Sequence, residues 1–83
     1  MEIRDGPYKT YCLTFPNGKM YVGITSQDPE RRWRKGKGYA EDSFVRKAIE
    51  KYGWENVEKE IVASNQTEEE AKNFERLLIK NLN

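Results

Sequence analysis

The 83-residue chain contains no histidine and a single cysteine, Cys12. One cysteine cannot close an intramolecular disulfide, and without histidine the usual Cys/His zinc sets cannot be assembled, so structural zinc is excluded. No apolar run approaches the length of a signal h-region or a membrane span, which argues against a membrane protein and gives a soluble, cytoplasmic protein as the default reading. Eighty-three residues suffice for one small domain with a limited core and leave no room for a second.

Charge, in contrast, is plentiful: 15 Lys and Arg stand against 14 Asp and Glu, a formal net charge of +1. The near balance hides an asymmetry, because residues 1–40 hold eight cations and four anions (+4), whereas 41–83 hold seven and ten (−3). Positive charge is densest in "RRWRKGKG", residues 31–38, where five cations flank one tryptophan and two glycines. Such a patch can meet phosphate electrostatically.

"YKTYCLTF" and "KMYVGIT" are rich in β-branched and aromatic residues, and the "PNG" between them is strong turn punctuation, so they read as a β-hairpin. Loop length decides which side chains share a face. A two-residue turn at Asn17-Gly18 would pair Thr14 with Tyr21 and send Tyr11 to the other face. A three-residue loop of Pro16, Asn17 and Gly18 pairs Leu13 with Tyr21, sets Tyr11 opposite Gly23, and puts both tyrosines on one face. Pro16 lacks an N–H and is a poor ladder residue, which favours the three-residue loop.

"DPERRW" follows as a helix start, with Asp28 as N-cap, Pro29 at the first helical position, Arg31 to Lys35 as the body and Gly36 and Gly38 as the end. Ser43 caps a second helix whose apolar face is Phe44, Val45, Ala48, Ile49 and Tyr52, with Gly53 as its stop. "NVEKEIVA" reads as a strand with Val57 and Ile61 on one face, and Thr67 with Glu70 forms a capping box for the last helix. The order β-β-α-α-β-α predicts an α/β (α+β) domain, a small three-stranded, largely antiparallel sheet flanked by about three helices.

The last helix carries an anomaly in "NFERLLIK", residues 73–80. At about 100° per residue, Phe74, Leu78, Ala71, Leu82 and Ile79 form one stripe, and Glu75 falls between Leu82 and Ile79. A carboxylate facing a core needs a partner, a proton or a metal.

Five pieces of the chain, in order, resemble the GIY-YIG nuclease domain. They are "KTY" at 9–11, "YVG" at 21–23, "ERRW" with an arginine at 32 followed by Trp33, "AIEKYGWENVEKEIV", and "FERLLIKNLN" with Glu75. The resemblance runs from about Tyr8 to the C-terminus and implies hydrolysis of DNA phosphodiester bonds with one divalent metal ion. It implies that Glu75 binds Mg²⁺ or Mn²⁺, that Arg32 neutralises the scissile phosphate, that Tyr11 activates the attacking water, and that Tyr21 stands beside Tyr11. A hard cation that keeps several waters suits a single carboxylate. An unperturbed tyrosine is a poor base at neutral pH, so Arg32 or Lys19 close by is expected to favour its ionised form.

The departures from the family pattern are specific. Many members carry a histidine shortly after the arginine; here the equivalent stretch is "RKGKGY", and Tyr39, with Lys35 behind it, is the candidate for that place. Lys19, Arg31, Arg34, Lys35 and Lys37 are the expected DNA-binding cations. The family's asparagine beyond the glutamate helix has no evident counterpart, since Asn83 stands at or near the end of that helix. The chain therefore reads as one nuclease domain, 1–83, that could be cut from a longer protein with a further DNA-binding domain. The rival reading is a nucleic-acid-binding module that keeps the fold without turnover. The two part on metal dependence, and a structure with Tyr11 and Tyr21 on opposite faces, or with Glu75 far from both, would sink the nuclease reading.

Overall fold

The computed structural model describes residues 6–82, with the side chain of Leu82 and all of Asn83 outside the description. Pro16 sets the hairpin as its missing N–H requires. Phe15 N–H donates to Lys19 O at 2.9 Å and Gly18 N–H to Phe15 O at 2.8 Å, leaving Pro16, Asn17 and Gly18 to turn the chain. Gly18 takes a φ of +88°, which glycine adopts without steric cost. In the resulting register, strand β1 (Tyr8–Thr14) pairs antiparallel with β2 (Met20–Thr25), Leu13 lies opposite Tyr21 and Tyr11 opposite Gly23. Directly opposed residues point the same way, so both tyrosines share one face.

The remaining elements follow in the expected order: α1 (Pro29–Trp33), α2 (Phe44–Tyr52), β3 (Glu58–Gln66) and α3 (Glu68–Leu82), with 3₁₀ turns at Arg34–Gly36 and Trp54–Asn56. The sheet is wholly antiparallel, in the order β2-β1-β3. On the tyrosine face, Tyr11, Leu13, Phe15, Trp33, Tyr39, Val45, Ile49 and Val57 form one buried cluster. On the other face of the hairpin, Cys12 and Val22 are opposed and buried. Helix α3 runs against β2 and β1, with Ala71 fully buried. Among the described residues no helix is long and apolar enough to cross a membrane.

The caps of α2 and α3 follow the sequence, whereas Asp28 stands at the N-cap position of α1 without a side-chain cap hydrogen bond. Arg46 N–H donates to Ser43 Oγ at 3.1 Å, Gly53 ends α2 at φ +89°, and Thr67 and Glu70 exchange side-chain to backbone hydrogen bonds of 2.9 and 3.2 Å. Ser43→Ala removes one of these caps and should lower unfolding stability by about 1 kcal/mol. The check is a lower urea midpoint with an unchanged slope.

Four expectations need correction. Helix α1 stops at Trp33 instead of continuing to Lys35, because Arg34 (φ +49°) and Lys35 (φ +56°) turn left-handed before the glycines are reached. Phe44 does not join the apolar face of α2; it is 91% exposed, since no element covers the first turn on that side. Strand β3 begins later and runs further than "NVEKEIVA", with Val57 buried just ahead of it and Ile61 exposed. It is an edge strand whose register slips twice against β1, once with Val62 as the extra residue, and its charged Glu58, Lys59 and Glu60 discourage a further strand. Ile79, expected on the apolar stripe of α3, is exposed as well.

Candidate active site

The site is assembled by the chain reversal after α1. The left-handed residues Arg34 and Lys35 and the positive-φ Gly36 fold the backbone back on the helix, so that Gly38 N–H donates to Trp33 O at 2.9 Å. Residue 38 must be glycine: a Cβ there would lie 1.9 Å from the backbone oxygen of Arg32. The Arg32 guanidinium in turn donates to Gly38 O. From the other side, Arg46 of α2 donates to Tyr39 O at 2.9 Å. Tyr39 is thereby pinned between two helices and turned inward.

Its hydroxyl meets that of Tyr11 at 2.7 Å in the buried core, and the Arg32 guanidinium carbon lies 4.5 Å above the Tyr39 ring centre. Tyr21 closes the group, with its ring centre 5.6 Å from that of Tyr39, edge to face, and 6.5 Å from that of Tyr11. Trp33 packs edge-on against Tyr11 at 5.5 Å. Its buried indole N–H has no acceptor among the described residues. Gly23 provides the floor. A Cβ there would stand 2.5 Å from the Tyr11 hydroxyl, so glycine at this position is what admits the phenol.

Burial raises the pKa of Tyr11 above its ordinary value; the hydrogen bond from Tyr39 and the charge of Arg32 work the other way, without prevailing. Tyr39 is pushed up further, first by burial and then by its bond to Tyr11. Either hydroxyl can donate in the bond between them. Tyr21 is also raised, by burial and then by Tyr11. The nearby cation thus moderates the phenols but leaves them protonated at neutral pH, short of the ionisation expected from sequence.

Glu75 is half-buried on α3, and its negative charge is felt at both Tyr11 and Tyr21. Its own pKa is raised by burial, with Arg76 partly offsetting this. Among the described residues it has no hydrogen bond or ion pair. Arg32, the obvious salt-bridge partner, is engaged with Gly38 and Tyr39 instead. No group of three or more His, Cys, Asp or Glu that could cage a metal exists among the described residues. A half-buried carboxylate whose charge acts on Tyr11 and Tyr21 is an oxygen donor suited to a hard cation that retains most of its water.

Residues 7–83 match the family model of the GIY-YIG catalytic domain. The chain belongs to the GIY-YIG nuclease family. No curated protein and no solved structure matches it. As a GIY-YIG domain it is a nuclease-type enzyme with a nucleic-acid substrate.

The structure brings Tyr11, Tyr21, Tyr39 and Arg32 of this GIY-YIG domain together, with Glu75 near enough for its charge to act on Tyr11 and Tyr21. Tyr39, rather than Lys35, is the residue that reaches Tyr11; Lys35 is exposed on the left-handed turn. Arg31, Arg34 and Lys37 are also exposed around this turn, and Lys19 is exposed by the hairpin on the side of Tyr21. Asn83 lies outside the described residues. Two contributors were not visible in sequence: Arg46, which reads only as the partner of Glu50 in an i,i+4 pair, and the Trp33 N–H. Neither a hydrogen bond to a distant backbone carbonyl nor a buried orphan donor leaves a pattern in residue spacing.

Proposed function

We propose that this GIY-YIG domain is a divalent-metal-dependent DNA endonuclease that hydrolyses phosphodiester bonds. The observation that carries the reading is a hydrogen-bonded pair of tyrosines, Tyr11 and Tyr39, with Arg32 stacked on one of them and the half-buried Glu75 near enough for its charge to act on Tyr11 and Tyr21. Glu75 would hold Mg²⁺ or Mn²⁺, and a bound cation of this kind stabilises the negative charge that builds on the phosphate as a water attacks. Arg32, permanently charged and already held by Gly38 O, offers its remaining N–H groups to the same phosphate. The phenolate form of Tyr11 accepts the proton of the attacking water and becomes the neutral phenol, and the hydrogen bond to Tyr39 favours the phenolate from which Tyr11 acts. Tyr21 excludes solvent on the open side and orients the water.

Nicking of supercoiled plasmid with Mg²⁺ or Mn²⁺, compared with the same reaction in EDTA, tests the reading. Cation-dependent nicking supports it. DNA retained in a low-salt gel shift with no nicking in either cation would replace it with a binding module.

The exposed cations give a separate expectation. If Lys35 and Lys37 each neutralise a phosphate, replacing both with alanine weakens DNA binding at low salt and reduces the steepness of log K against log salt by about 2. An unchanged slope would place the DNA elsewhere on the surface.

A further inference from the structure

Phe44 is the feature that neither the fold nor the chemistry uses. It occupies the first position of α2 and is 91% exposed, although the cost of exposing a phenyl ring is large and nothing in the helix requires it there. Beside it, Met20 at the start of β2 is 44% exposed. The two line a groove of about 190 Å³ whose walls also include Tyr21, Val45 and Phe15. Among the described residues, Lys19 is the only charged one lining it.

Tyr21 belongs to both this groove and the tyrosine cluster, packing 5.6 Å from Tyr39 and 6.5 Å from Tyr11. Whatever enters the groove is therefore next to whatever is bound at the site. An apolar floor with an aromatic ring standing free of the surface, one cation at the rim and no anion suits a base joined to a phosphate backbone. A base presents a π-face for stacking, and its phosphate is drawn to the lysine. A base reaches such a ring only when it is not paired and stacked within a duplex.

We infer that the groove between Phe44, Met20 and Tyr21 is a subsite for one unpaired nucleobase of the nucleic acid, stacked on Phe44 beside the phosphate held at the tyrosine cluster. The inference rests on the proposed action on DNA and narrows it: strands with an unpaired nucleotide next to the cleavage point are preferred over continuous duplex.

The test uses binding in EDTA, so that it is independent of cleavage. The probes are a short oligothymidylate and an abasic strand of the same length and charge. Wild-type protein is expected to bind the base-bearing strand about tenfold more tightly, within the range of one stacked base. Phe44→Ala should bind both strands with the affinity that wild type has for the abasic one, and Phe44→Trp should restore the preference. The ring is exposed, so these substitutions leave the fold intact, which circular dichroism verifies. Equal wild-type affinity for both strands, or a preference that survives in Phe44→Ala, overturns the subsite while leaving DNA binding in place. Absence of salt-dependent binding to either strand overturns the proposed action on DNA, and the subsite with it.

Discussion

Replacing Glu75 with glutamine will lower DNA cleavage by about a thousandfold or more, the loss expected when about 4 kcal/mol of charge stabilisation at the reacting phosphate is removed. Glutamine keeps the shape and the oxygen but not the charge that would retain a cation. The same substitution has a second signature that needs no turnover. Burial raises the pKa of Glu75, so its charged form is disfavoured in the folded state. A group whose folded pKa lies above the unfolded one contributes stability below the unfolded value and loses it as pH rises through the folded value. At neutral pH without divalent cation, Glu75→Gln should therefore melt above the wild type, and this advantage should shrink as pH falls from the raised folded value to the ordinary carboxylate value and be gone below it. Added Mn²⁺ should raise the melting temperature of the wild type with concentration and leave the variant unmoved. A variant that melts like wild type at neutral pH and responds equally to Mn²⁺ would remove Glu75 from the role of metal ligand, whatever its effect on cleavage.

The parts of this molecule legible in its sequence are those governed by local chemistry. Pro16 cannot donate to a ladder, and that one fact decides the loop length, the register and hence the common face of Tyr11 and Tyr21. Ser43, Gly53 and the Thr67–Glu70 pair mark helix ends because their side chains or dihedral freedom act within a few residues. Glu75 announced itself by a polarity that its helix face does not explain. What sequence could not yield depends on segments meeting at a distance. Gly36 and Gly38 were readable only as a helix stop. Their actual work is to return the chain over α1 so that Tyr39 faces Tyr11, and the turn itself is made by left-handed Arg34 and Lys35, residue types that carry no signal for it. Phe44 failed as a core residue for a related reason: periodicity assigns a helix face, but only the packed neighbours decide whether that face is covered at its first turn. On β3 the alternation from Val57 to Ile61 holds, because both slips in register fall beyond Ile61; what spacing does not show is that Val57 is covered and Ile61 is not.

The tyrosine pair supplies the second large effect. Tyr11→Phe retains the ring that packs on Trp33 and Tyr21 and deletes the one hydroxyl above Gly23. Cleavage should fall by about 10²- to 10⁴-fold, the range typical of a lost proton acceptor, with a fold unchanged by circular dichroism. The pH dependence identifies the step. Burial keeps Tyr11 protonated well above neutrality, so a phenolate acting as base is scarce at pH 7 and increases about tenfold for each unit of pH up to the ordinary tyrosine value of about 10. The wild-type rate should climb accordingly between about pH 7 and 9, and the climb should flatten in Tyr11→Phe. Tyr39→Phe separates support from chemistry. It removes the hydrogen bond that favours ionised Tyr11 but leaves the acceptor in place, so its rate should be lower than wild type across the same range while the slope persists. A slope that survives intact in Tyr11→Phe would show that the titrating group lies elsewhere. In that case the cluster of Tyr11, Tyr39 and Arg32 positions the phosphate without taking the proton.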